Sequence, residues 1–139
     1  MLASLGYALA YTVVGIALLA GGFFALDLLT PGRLGKHIYE NRSVNAAIVL
    51  ASGFLGLGAV TFTAIWTNAT SGFGSALAWT VVFGVFGIAL QALAFVVLDL
   101  ITPGKLGEIV VQVPFHPASL VTAASQLAVS AIIVASITP

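Results

Sequence analysis

LDLLTPGRLGKH, residues 26–37, closes a long apolar run with an aspartate, a Thr-Pro-Gly break and a basic residue, and LDLITPGKLGEI, residues 98–109, repeats that ending 72 positions later. Self-similarity at a fixed offset bears on architecture before any single motif does. At this offset the match runs far beyond the motif: YALAYTVVGIALLAGGFFALDLLTPGRLG (7–35) falls on WTVVFGVFGIALQALAFVVLDLITPGKLG (79–107). Asp27 aligns with Asp99, Thr30, Pro31 and Gly32 with Thr102, Pro103 and Gly104, and Arg33 with Lys105. Downstream, SVNAAIVLASGFLGLGAVTFTAIW (43–66) and PASLVTAASQLAVSAIIVASI (117–137) have drifted apart, yet both are apolar, Ala/Ser-rich and long enough to span a bilayer. Each unit reads as a helix, a polar connector and a second helix.

Composition says which solvent these helices face. Charged residues make up 6% of the 139, against roughly a quarter in soluble domains. The runs 1–26, 43–98 and 117–139 contain no Asp, Glu, Lys or Arg, so no helix within them has a charged outer face to turn to water. At about 20 residues per crossing, the expected spans are about 4–29, 44–66, 78–101 and 117–137. The expected fold is an all-α membrane protein occupying 1–139 as one domain. Its four transmembrane helices form two tandem, parallel-oriented helical-hairpin repeats, about 4–66 and about 78–137. Two crossings per unit make both units enter from the same side, related by a pseudo-twofold axis along the membrane normal. No basic residue precedes the first apolar run, which is longer than a signal-peptide core, so a retained helix is expected there.

All eight charged residues lie in 27–42 or 99–108. The positive-inside rule then makes the two connectors cytoplasmic and puts both termini outside. TNATSGFGS (67–75) becomes a short outer turn, with Trp66 and Trp79 as interfacial anchors. Asn68-Ala69-Thr70 has the form of a glycosylation acceptor, but the plain reading is a polar turn.

Function classes narrow accordingly. Four dispersed basic residues and a net charge of zero make no nucleic-acid footprint. Without cysteine there is no disulfide or thiolate chemistry. The two histidines, His37 and His116, lack metal-site spacing, so neither a metal nor any other cofactor is expected. No nucleophile-and-base arrangement stands out, and an enzyme is not expected.

The repeated corner supports two readings. In the structural one, Pro31 ends the first helix and Thr30 caps a short interfacial helix in PGRLGKHIYE, with Leu34 and Ile38 turned toward the membrane and Arg33, Lys36 and Glu40 outward. Asp27, near a helix C-terminus, is disfavoured by the macrodipole and needs a partner such as Arg33, Lys105 or a backbone N–H. The second reading rests on Gly/Pro interruptions at matching positions of two transporter halves, which point to ion sites; Asp27 and Asp99 would then serve a cation or a proton. Gln91, Gln126 and Asn45 are intramembrane polar positions; Gln91 and Gln126, close to mid-membrane, are expected to bond across helices, the alternative being contact with a substrate. Ser52, Gly53 and Gly56 form a small face suited to close packing or oligomerisation.

Two tandem two-helix units with an L-D-x-x-T-P-G-x-L corner, and the stretch Asn41-Arg42-Ser43-Val44-Asn45-Ala46-Ala47 leading into the next helix, resemble the YjfL-like small membrane proteins, a domain-of-unknown-function family. The resemblance covers nearly the whole chain. It departs in the second unit, where PFHPASLV stands in place of NRSVNAAI, so a role resting on Asn45 is not duplicated. It implies a bacterial inner-membrane protein with at most a partner role, envelope-stress or polyamine related. The expected function is an oligomeric scaffold or subunit of a membrane complex. Its partners would be the lipid bilayer, further copies of itself, or other membrane or cytoplasmic subunits. The alternative is a small cation- or proton-coupled channel or transporter using Asp27 and Asp99.

Overall fold

A computed structural model describes residues 1–139, all of them. The chain is all-helical: α1 (Leu2–Leu29), α2 (Leu34–Tyr39), α3 (Val44–Thr67), α4 (Phe73–Ile101), α5 (Leu106–Val110) and α6 (Ala118–Ile137). Helices α1, α3, α4 and α6 are long and apolar enough to cross a membrane. Even the shortest, α6, has 20 residues, a length of about 30 Å at about 1.5 Å per residue.

Three helices match the expected spans to within two residues at both ends, and the fourth does so only at its C-terminal end: α4 begins at Phe73, five residues ahead of the expected 78. Gly72 turns the chain with φ +90° just before it, a conformation open to glycine. Phe73 then stacks on Tyr7 at 4.3 Å between ring centroids and meets Tyr11 edge-on at 5.7 Å. An aromatic clasp between α1 and α4 therefore extends α4 into what reads locally as a polar turn. Trp66 stays mostly exposed and Trp79, inside α4, half so.

The centre of the bundle is the pair α3–α6, with α4 against both and α1 on the periphery, packed on α4 and α3. On α1 only Leu18 and Leu26 are buried. Leu18 fits where Gly84 carries no side chain, since a Cβ there would overlap the leucine Cδ atoms. The apolar core gathers toward the corner end: Leu26, Leu34, Ala46, Val49, Phe95, Leu106 and Val110 form one cluster drawn from five helices. Both short helices contribute to it, Leu34 and Leu106 being almost completely buried.

Candidate functional site: the two aspartate corners and the polar interior

Helix α1 ends at Leu29 and α2 begins at Leu34; α4 ends at Ile101 and α5 begins at Leu106, each boundary 72 residues after its counterpart. The chain turns each corner through a glycine in the left-handed region, Gly32 at φ +75° and Gly104 at φ +90°. An L side chain there would be strained, which accounts for the glycine of both Thr-Pro-Gly motifs.

Both aspartates do the same thing. Asp27 Oδ1 accepts the Leu34 N–H at 2.6 Å, and Asp99 Oδ1 accepts the Leu106 N–H at 2.5 Å. Each carboxylate reaches seven residues forward, from the last turn of a long helix to the first N–H of the short one. That N–H is an orphan donor of a helix N-terminus, a place where a negative group is favoured. The aspartate, disfavoured where it sits, thus finds compensation at the next helix start. Of the partners expected for it, the backbone N–H is the one it takes.

Thr30 differs from its expected role. It is the C-terminal cap of α1, with its Oγ1 donating to Leu26 O at 3.1 Å, and does not cap α2. The short helix starts at Leu34, three residues beyond Pro31, because the extended Arg33 and the left-handed Gly32 come between. His37 folds back from α2 and its Nε2–H donates to Pro31 O at 2.7 Å, closing the first corner. On α2, Leu34 is buried and Ile38 half-buried, while Arg33, Lys36 and Glu40 are exposed, the amphipathic arrangement read from the sequence. At the second corner Thr102 again caps the long helix, and Lys105 is extended and exposed.

The corners are alike in backbone but unlike in surroundings. Gly107 lies against the end of α1, where a Cβ would come within 2.9 Å of Leu29 O. Its counterpart Gly35 meets only Phe23, at 3.8 Å. The second corner is thus closed by the first unit, whereas the first stays open beside a surface groove.

The intramembrane amides fall into two places. Gln91 (α4) donates from Nε2 to Ser130 Oγ (α6) at 2.7 Å and, more weakly, to Gly53 O (α3) at 3.4 Å. Ser52 Oγ donates to Gln126 Oε1 at 3.1 Å, and Ser130 Oγ to Gln126 O at 2.9 Å. Three helices are thereby tied at mid-depth by hydrogen bonds with no water needed between them, as expected of polar groups in hydrocarbon. The small face of α3 is used here: a Cβ on Gly56 would overlap Ser130 Oγ, and one on Gly53 would lie 2.9 Å from Gln126 Oε1. Beside the glutamines is a cavity of about 20 Å³, walled mainly by apolar side chains including Leu26, Leu50 and Phe95. That is room for about one water.

Asn45 belongs elsewhere. It sits in the first turn of α3 and is fully buried. Its Nδ2 donates to Gln112 O at 2.9 Å and Pro114 O at 2.8 Å, and its Oδ1 accepts the His116 N–H at 2.8 Å. Ser43, the cap of α3, adds a bond to Gln112 O at 2.7 Å. His116 in turn accepts the Ala118 N–H on Nδ1 at 3.0 Å, supporting the start of α6. The asparagine that is not duplicated holds the loop where the second unit departs from the first. Its polarity within an apolar span and that departure both mark the residue, but neither points to its partners, which are backbone groups of the 112–116 loop 67 to 71 residues away.

Comparison with known proteins agrees with a membrane-spanning chain. The family model described as Domain of Unknown Function (DUF350) matches residues 1–137. A UPF0719 transmembrane protein of Mycolicibacterium paratuberculosis is 36% identical over 127 residues, covering 91% of this chain and 83% of the relative. UPF0719 transmembrane proteins of Mycobacterium bovis and Mycobacterium tuberculosis are each 35% identical over the same length and coverage. No solved structure matches. With a family model spanning the chain and four apolar helices long enough to cross a bilayer, the protein is a multi-pass transmembrane protein and belongs to the DUF350 family.

Proposed function

We propose that this chain is a non-enzymatic scaffold of the bacterial inner membrane, working as a homo-oligomer or as a subunit of a membrane complex, with both charged corners on the cytoplasmic side and both termini outside. One observation carries the reading: each membrane-boundary aspartate is engaged by the backbone of its own corner. What the corners offer outward is then Arg33, Lys36, Glu40, Lys105 and Glu108, all exposed. These two charged platforms end an otherwise apolar bundle, and the positive-inside rule favours the cytoplasm for them.

The rest of the molecule agrees. The small face around Gly56 is used inside the protomer, so a second copy or partner would meet the open apolar side of α1, where Leu5, Leu9, Val13 and Ile16 are exposed. The competing reading, a cation- or proton-coupled transporter, asks the aspartates to release their capping bonds. It also asks a cavity with room for about one water to pass an ion. Native mass analysis after mild-detergent purification tests the scaffold: an oligomer or a co-purifying protein is expected, and monomer alone overturns it. Reconstituted flux that is lost in the Asp27→Asn, Asp99→Asn double variant would favour transport instead.

A further inference from the structure

We propose that the open first corner is a headgroup site for an aminophospholipid, a lipid whose phosphate is followed by a primary ammonium. The site is a groove of about 400 Å³ between the end of α1 and α2, within the volume range of about 300–1,000 Å³ typical of small-ligand sites. Its lining carries two cations, Arg33 and Lys36, and two carboxylates, Asp27 and Glu40. Two cations and two carboxylates suit a zwitterion: the guanidinium and ammonium take the phosphate oxygens, and the carboxylates take the N–H donors of the headgroup ammonium. Only one oxygen of Asp27 is occupied by the Leu34 N–H, leaving the other for this purpose. Phe23 and Phe24 line the same groove, and Phe24 and Leu28 are exposed along the outside of α1, where acyl chains would continue from the headgroup.

The second corner shows what makes the first distinctive. At the same offset Lys36 is replaced by Glu108, and Phe23 by Phe95, which is buried in the core. Gly107 is closed over by Leu29 O. The duplicated backbone therefore carries one groove with a second cation and one filled corner.

The inference rests on the membrane-boundary placement of the corners in the reading above, but not on oligomerisation. It is tested by native mass spectrometry of the intact protein taken from nanodiscs containing equal parts of phosphatidylethanolamine, phosphatidylcholine and phosphatidylglycerol with identical acyl chains. Retention of the ethanolamine lipid over the choline lipid by roughly fivefold is expected from exposed charge-assisted contacts, since a trimethylammonium has no N–H to donate. Retention of both lipids should fall in the Arg33→Gln, Lys36→Gln double variant, the ratio itself should fall to near one in Glu40→Gln, and neither should change in Lys105→Gln. Equal retention by the native protein, or a preference that survives both groove variants, overturns the site. Glycerol lipid retained above ethanolamine lipid overturns it too, as a site that reads phosphate alone. Displacement of the lipid by an equal concentration of soluble glycerophosphoethanolamine would replace the lipid with a free headgroup compound as the occupant. A monomer with the lipid preference sinks the scaffold and keeps the site, and an oligomer without it does the reverse.

Discussion

Replacing Asp99 by alanine and, separately, by asparagine distinguishes a carboxylate that holds a corner from one that serves an ion. The side chain is part-buried and contributes one hydrogen bond, 2.5 Å to the Leu106 N–H, over a leucine that is almost completely buried. Hydrogen bonds to charged groups contribute about 1.5–3 kcal/mol, and partial exposure reduces that to about 1–2 kcal/mol here. Alanine also leaves the Leu106 N–H unpaired at the start of α5, so the loss should fall near the upper end. Asparagine keeps an acceptor oxygen in place without the charge, so its cost should be about half as large. Asp27 should follow the same order, Ala worse than Asn, with its bond to the Leu34 N–H. The two corners meet where Gly107 approaches Leu29 O, so the double alanine variant need not be additive. Reversible unfolding in mixed micelles, followed by the fluorescence of Trp66 and Trp79, measures these differences. The reasoning is refuted if either alanine variant unfolds within about 0.3 kcal/mol of the native protein, or if asparagine costs as much as alanine.

Other positions give independent outcomes. Asn45→Ala removes three bonds to the 112–116 loop and should cost about 2–3 kcal/mol at about 1 kcal/mol each, with faster proteolysis in that loop. Gly56→Leu must displace Ser130 and Gln91 and should destabilise by about 1–3 kcal/mol. Gly58→Ala, with open space around it, should be neutral or up to about 1 kcal/mol stabilising. A double-mutant cycle on Gln91→Ala and Ser130→Ala should give a coupling of about 0.6 kcal/mol and below about 1.7; a value indistinguishable from zero would contradict the bond between them. Because the chain has no cysteine, Lys36→Cys and Ser71→Cys can be labelled singly with an impermeant reagent. Cytoplasmic-only labelling at the first and outer-only labelling at the second are expected, and the same side for both would overturn the proposed topology.

Much of this architecture is legible in the residues, and what escaped does so for physical reasons. Hydropathy over 20 or more residues is a strong signal, so four helices and their ends near Leu29, Thr67 and Ile101 can be read directly. The start of α4 cannot, because Phe73 is recruited by Tyr7 and Tyr11 across the bundle. The 72-residue offset shows that the corners share a motif but not what the motif does. Thr30 looks like a helix cap by residue type, yet the left-handed Gly32 delays the next helix to Leu34, and the capping role passes to Asp27. Gln91 and Gln126 behave as their polarity demands. Which serines they meet depends on helix rotation, and a 100° turn per residue is not visible in a stretch apolar on every side. The asymmetry of the corners is also tertiary: Gly35 and Gly107 are the same letter in the same motif, and only packing makes one open and the other closed.

The Leu34 and Leu106 amide protons report most directly on whether the two carboxylates hold the corners. Residue-resolved hydrogen exchange by NMR on the native protein and on the Asp27→Ala and Asp99→Ala variants should show both amides protected in the native chain. Each should become at least about tenfold faster only when its own aspartate is removed, the equivalent of about 1.4 kcal/mol of lost local stability. Amides that exchange at the same rate with and without the carboxylate would mean that the aspartates do not hold the corners.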